Sequence, residues 1–458
     1  MRGLEIAGYV LKEEGKMRQH FRNDLMVLAI AAVLGGTTGP ASAAGFALIE
    51  QSGSGMGNAF AGAAATAEDA STVFFNPAGM SRLQGSQFAV AGHVIGVQSH
   101  FNGRGTAPSI LGGATVTGTG DPGGISVVPN AYFVLPIGDR TRFGIGVNVP
   151  FGLTTEYDDD WVGRFQGIKS ELMTVNINPS ISYRLSDAVS IGAGINYQWA
   201  NTELTNAVAL GFNEPGKVKL EADDDGWGWN FGVLFLAGRD TRIGFSYRSV
   251  IDYELEGSVG VTSDTGSVVG VAVATAASGP AKADITFPDT FSLSVVQGIS
   301  GRLELLGDVS LTRWSEINRV DVVNTTNGTL RDSLEFNFDD ASRVSVGANY
   351  KWTDTWTLKA GVAYDQTPVK SETTRTVRLP DNDRIWLAFG GQRKVGHRGR
   401  IDLGYTHIFI KDADINFTRS QQAPGFTVPT SQPGTQSNVT GSYEGSVDIV
   451  SIQYTRSF

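Results

Sequence analysis

From Phe88 to the last residue, apolar side chains alternate with small or polar ones, the two-residue period of a strand with one apolar face. Residues 88–97 open the series, and residues 131–135 lead through Ile137-Gly138-Asp139 into residues 142–149. Met173, Val175, Ile177, Ile181, Tyr183 and Leu185 share one phase; after Ser186-Asp187, residues 189–199 share the next. Residues 227–235 return through Gly238-Arg239-Asp240 into 243–247. The pairs 291–299 with 303–311, 344–350 with 356–364, and 384–390 with 401–409 follow, and residues 450–458 close the chain. Fourteen such segments predict an all-β fold, an antiparallel transmembrane barrel over residues 85–458.

The connections are expected to alternate between turns of a few residues and loops of some fifteen or more, with short turns periplasmic and long loops outside. Both termini then fall on the periplasmic side. A soluble β-sandwich is the alternative, disfavoured by the strand lengths and the terminal aromatic, Phe458. The apolar stretches at residues 207–212 and 268–277 read as outer-loop surface fit to capture an apolar ligand, or as loops packed on their neighbours. The acidic runs at 158–160 and 223–225 read as solvated loop.

Ahead of the strands the pattern changes. The basic stretch after Met17, the apolar run at 25–34 and Ala41-Ser42-Ala43 predict a signal peptide over residues 1–43, translation from Met17, and a mature start at Ala44. Residues 44–84 lack alternation and are rich in small residues. There Asn76 can cap a short helix and Pro77 suits its first position, with Ala78 following. A partly helical hatch plugging the lumen is the economical placement; a periplasmic extension is the alternative.

Composition narrows the function. The 58 glycines and 44 aromatics (24 Phe, 12 Tyr, 8 Trp) suit strands, turns and aromatic belts. A net charge of −10 argues against nucleic acid as a partner, and the absence of cysteine excludes disulfides and thiolate chemistry. The histidines show no metal-ligand spacing, so neither metal nor cofactor is expected and the chain reads as no enzyme, although a barrel lipase with a Ser–His pair stays open. Pro150 interrupts a spanning strand and Gly152 tolerates a bulge, so the strand is expected to kink there and open a gap; the alternative puts Pro150 above the membrane.

Several motifs, taken in order, resemble the FadL/TodX-type outer-membrane transporters of long-chain fatty acids and related hydrophobic compounds. They are Ala44-Gly45-Phe46, residues 52–62, Glu68-Asp69-Ala70, Asn76-Pro77-Ala78, Pro150-Phe151-Gly152-Leu153, Trp227-Gly228-Trp229-Asn230, Tyr247-Arg248-Ser249, Asp340-Ala341-Ser342-Arg343 and residues 379–384. The resemblance implies a fourteen-stranded barrel in the outer membrane, a hatch with Asn-Pro-Ala at its inner end, and passive uptake with capture by the outer loops. Substrate then meets a tighter site beside Ala44, Gly45 and Phe46, with Arg343 near, and leaves sideways through a lateral gate that the resemblance puts at Val149, Pro150, Phe151 and Gly152. The implied partners are the hydrophobic substrate, outer-membrane lipid and lipopolysaccharide, and the barrel-assembly machinery that reads Phe458; the chain is expected to be a monomer. The sequence departs from the fatty-acid pattern at Asn206 and Asp339, where the resemblance places cations. Neutral aliphatic or aromatic hydrocarbons are therefore an alternative cargo, and an adhesin or phage receptor the alternative without transport.

Overall fold

A computed structural model describes residues 45–420 and 436–458; the expected leader, Met17 and Ala44 lie outside the described residues. Fourteen strands form one closed antiparallel ring. In chain order these are β1 (Gln87–Thr106), β2 (Gly124–Pro136), β3 (Thr141–Asn148), β4 (Lys169–Arg184) and β5 (Val189–Gly211). Next come β6 (Glu214–Ala237), β7 (Thr241–Arg248), β8 (Thr290–Gly298), β9 (Leu303–Thr312) and β10 (Ala341–Lys351). The last are β11 (Trp356–Asp365), β12 (Arg384–Val395), β13 (Gly399–Ile410) and β14 (Gln436–Ser457). Each pairs with its neighbours, and β14 closes on β1 from Gln87↔Ser457 to Thr106↔Asn438. Every segment read from the alternation is one of these strands.

The burial pattern inverts that of a soluble protein. Val94, Ile181, Leu293, Val346, Ile385 and Ile452 are exposed, while His93, Asn176, Asn178, Ser345, Arg384 and Ser451 are buried. Outward apolar and inward polar faces are what hydrocarbon outside and a polar lumen select. Across β5–β8 the ring of Tyr197 lies 4.9 Å from that of Trp227, and Trp229, Tyr247 and Phe291 follow in contacts of 4.9 and 4.7 Å, as an interfacial girdle requires.

Two expectations about the loops are corrected. β5 and β6 run on as a long hairpin joined at Phe212-Asn213, so residues 207–211 are strand, and Asp223, Asp224 and Asp225 lie in β6. The reason is packing. Helix α1 (Val268–Ala277) covers the hairpin, so Val208, Leu210, Leu220, Ala274 and Ala277 bury one another, and a covered apolar surface favours continued strand pairing over an open loop. Ser267 caps α1 by accepting from the Gly270 amide.

Residues 45–84 occupy the lumen as three one-turn helices, Gly53–Met56, Ala63–Thr66 and Thr72–Phe75, and a 3-10 turn, Pro77–Arg82. They approach the wall where it offers glycine. A Cβ at Gly361 would lie 2.2 Å from the Asn58 carbonyl oxygen, one at Gly244 1.9 Å from that of Ala64, and one at Gly192 2.4 Å from the Ala78 nitrogen. Part of the glycine content thus makes room for the hatch, beyond its use in turns. Asn76 ties the inner end: its amide donates to the carbonyls of Ala64 (2.7 Å) and Val233 (3.0 Å) and its oxygen accepts from the Ala78 N–H (3.0 Å). Asn76→Ala leaves those buried groups unpaired, at about 1–3 kcal/mol each. We expect a lower yield of folded barrel and a lower melting temperature; an unchanged melting temperature would remove Asn76 from the account.

Candidate functional site

β3 stops at Asn148, and proline at 150 has no N–H to continue the ladder. The strand resumes at Gly152–Glu156, which pairs with β4 from Gly152↔Met173 to Glu156↔Lys169. On the other side, β2 pairs with β3 only as far as Ala131↔Val147, so residues 124–130 have no strand partner there among the described residues. The result is a gap in the wall between β2 and the broken strand. Unpaired backbone in hydrocarbon costs several kcal/mol per group, so such a gap must be backed by protein or open on a cavity.

The hatch backs it. Leu48 N–H donates to the Pro150 carbonyl (2.8 Å), and Gly152 N–H donates to the Phe46 carbonyl (2.9 Å). The Gln51 amide donates to the Val149 carbonyl (2.7 Å). Across the gap, Asn130 donates to the Glu50 carbonyl (3.2 Å) and the Tyr132 hydroxyl to the Gln51 carbonyl (2.8 Å). Residues 46–51 therefore form an arm that spans the gap from one edge to the other. Its start is fixed by the loop motif at 379–384: Gly45 N–H donates to Asp381 (3.0 Å), which Thr367 (2.7 Å) and the Arg384 Nε (3.0 Å) also hold. Gly45 has φ +63°, and a Cβ there would meet Trp314 at 2.6 Å, so glycine is required twice over.

Behind the arm lies a cavity of about 150 Å³. Leu48, Ile49, Phe75, Pro150, Phe151 and Trp314 give its wall apolar surface, and Arg248, Arg343, Asp308 and Asp365 line it as well. Phe46 packs behind in an aromatic cluster, with its ring centroid 4.7 Å from Trp314 and 5.5 Å from Phe287. Arg343 is 6% exposed, donates to the Ala59 carbonyl (2.8 Å) and lies over the Trp386 ring at 4.9 Å. Its Nε and Nη1 have no partner among the described residues. Arg248 donates to the Phe74 carbonyl (3.1 Å) and lies over that ring at 4.2 Å. A volume of this order admits a benzene ring, so a longer acyl chain must extend past the closed arm or displace it.

Deeper in the lumen, charge ties the hatch to the wall. Lys359 pairs with Glu68 (2.9 Å) and Asp402 (3.5 Å), and Arg400 with Asp69 (2.7 Å) and Asp402 (3.1 Å). Gln453 adds a hydrogen bond to Asp69 (2.7 Å). Burial works against the Glu68 charge, yet Lys359 and Arg400 beside it hold its carboxyl down at about 2.

A Ser–His–Asn set is also present: His93 Nδ1 lies 2.6 Å from Ser451 Oγ, and its Nε2 lies 3.0 Å from Asn130 Nδ2. The Asn130 amide is oriented by its bond to the Glu50 carbonyl, so Nε2 accepts and Nδ1 carries the proton, which it donates to Ser451. A histidine in that tautomer cannot take the serine's proton, and all three side chains are fully buried.

A model of the family described as "Outer membrane protein transport protein (OMPP1/FadL/TodX)" matches residues 35–458. The chain belongs to this family. It is 31% identical to outer membrane protein P1 of Haemophilus influenzae over 85% of this chain and 90% of that one. It is 29% identical to the long-chain fatty acid transport protein of Escherichia coli K12, over 85% and 92%. A crystal structure of a Pseudomonas aeruginosa FadL homologue superposes with a TM-score of 0.82 at 23% identity, covering 91% of this chain and all of that one. The protein is thus an outer-membrane barrel of the FadL/TodX family, whose members transport hydrophobic compounds.

In this FadL-family barrel Val149, Pro150, Phe151 and Gly152 lie at the strand break, Arg343 stands at the cavity wall, and Gly45 and Phe46 anchor the arm. The departures at Asn206 and Asp339 are met by cations from another loop: Arg378 donates to Asn206 (3.0 Å), and Lys370 pairs with Asp339 (3.1 Å). Burial, with Arg419 nearby, lowers the Arg378 guanidinium to about 9. Glu50, Arg248, Asp308 and Asp365 were not legible as site residues, although Arg248 falls within the Tyr247-Arg248-Ser249 motif. Their signal is weak: the last three are polar residues on the inward phase of strands, as any hydrated lumen would have.

Proposed function

We propose that the chain carries long-chain fatty acids and related hydrophobic compounds passively inward, with lateral exit through the gap beside β3. The observation carrying this reading is that one segment, residues 46–51, both lines the cavity and closes the gap. A ligand that fills the cavity must displace Leu48 and Ile49, and that motion frees the Pro150 carbonyl and opens the wall. Capture begins at the outer tips, where Phe212 (80% exposed), Val268 (87%) and Val269 (64%) present apolar surface. The ring closes through β1–β14 pairing, and the interruption beside β2 is covered by residues 46–51, which supports a monomer. Phe458, which donates its N–H to the Ser86 carbonyl beside the β1–β14 seam, is the assembly signal in this reading.

Replacing Pro150 and Gly152 together by valine offers β3 a regular ladder, and a Cβ at 152 meets Leu48 Cδ1 at 3.0 Å. Radiolabelled oleate uptake by cells lacking another transporter should fall to background, while the variant reaches the outer membrane in normal amount. Uptake at the unaltered rate would sink the gate assignment. Neutral hydrocarbon cargo is the second reading, favoured by the two aspartates that balance the two arginines at the cavity. Hexadecane and toluene uptake in the same cells decides between the cargoes.

A further inference from the structure

Glu50 sits near the end of the arm, 1% exposed, where its own carbonyl accepts from Asn130 on β2 and the next residue, Gln51, bonds both the broken strand and β2. Its Oε2 has no hydrogen-bond partner among the described residues, and neither do Nε and Nη1 of Arg343. The two side chains attract without forming an ion pair among the described residues. The charged groups that act on Glu50 are Arg343 on β10, Asp365 on β11 and Arg384 on β12, the last already bound to Asp381. His93 on β1 lies behind Asn130, and Asp308 on β9 acts on Arg343.

The cavity wall itself is balanced, with Arg248 and Arg343 against Asp308 and Asp365. An ionised Glu50 tips the site negative, and an incoming carboxylate tips it further in a medium of low dielectric. We infer that Glu50 and an anionic substrate head compete for Arg343, and that Glu50 takes up a proton from solvent as the anion binds. The balance is one proton gained at Glu50 per anion bound; the only bond formed is O–H. Glu50 is thereby a specificity residue, making entry of a carboxylate proton-linked while leaving neutral compounds indifferent to pH.

The free protein is poised for this. Burial raises the Glu50 carboxyl to about 7, against the pull of its own backbone hydrogen bond and of Arg343 and Arg384. An anion at Arg343 screens that pull and adds repulsion, so the bound-state value is higher still. Below about pH 7 Glu50 is neutral in both states and affinity is flat; above it the free protein loses the proton that the complex keeps, and affinity falls. The limiting slope for one proton is about tenfold per pH unit.

The probe is hexadecanesulfonate, whose charge is fixed, with hexadecanol as the neutral control, titrated calorimetrically into the purified full chain between pH 6 and 9. Wild type should bind the sulfonate about tenfold or more weakly at the alkaline end. Glu50→Gln should bind it tightly and without slope, Glu50→Asp should keep the slope, and hexadecanol should be flat throughout. Heat-modifiable migration on gels checks that each variant is folded. A flat wild-type profile, an equal slope in Glu50→Gln, or no sulfonate binding overturns the inference. The inference rests on the uptake reading; cells that take up no hydrophobic compound defeat that reading, whereas uptake with pH-independent sulfonate binding defeats this one alone.

Discussion

Lys359→Met is expected to turn a closed barrel into a leaking one. The ammonium is buried with Glu68 and Asp402, its side chain only 2% exposed, and it also donates to the Ser54 carbonyl (2.8 Å). Removing one partner of a buried pair strands the other charges at a cost of about 3–5 kcal/mol. Arg400 alone cannot satisfy three carboxylates, so the hatch loosens where it crosses the lumen. Planar-bilayer recordings should change from almost no current to sustained openings, and the melting temperature should fall. Adding Asp402→Asn removes a stranded charge and should restore part of both losses. A variant as tight and as stable as the parent would show that glycine contacts alone hold the hatch.

The same latch sets an acid limit. Glu68 has a depressed value, so its contribution is fully present above its ordinary 4.5 and is lost as pH falls toward about 2. Conductance is therefore expected to stay low from neutrality to about pH 5 and to rise below that, in reversible fashion.

The barrel was legible in the sequence because period-two alternation is a local property, and Phe291-Ser292-Leu293 declares its faces without knowledge of any partner. The hatch was legible in the negative, as a stretch without alternation ending in a helix-capping Asn-Pro-Ala. Long-range partnership was not legible. Nothing in Phe46-Ala47-Leu48 announces pairing with residues a hundred positions on, since backbone hydrogen bonds carry no side-chain signature. Lys359 reads as an inward polar residue in phase with Gly361 and Ala363, and only the folded chain shows that Glu68 meets it. Residues 207–211 misled for a related reason: exposed loop and covered strand can share an apolar composition, and helix α1, which decides between them, is more than fifty residues away.

For substrate to pass, the arm must leave the strand break. Ala47 and Phe151 form an antiparallel bridge flanked by the Leu48–Pro150 and Gly152–Phe46 hydrogen bonds, which makes them a non-hydrogen-bonded pair. Such pairs have Cα atoms about 4.5 Å apart, within reach of a disulfide. The chain contains no cysteine, so in Ala47→Cys with Phe151→Cys no other intramolecular bridge can form. Oleate uptake by cells bearing this double variant is the decisive measurement. Uptake is expected when the pair is reduced, with near-complete loss when it is oxidised and recovery on adding dithiothreitol. Equal uptake in the oxidised and reduced states, with the cross-link verified by mass, would contradict it.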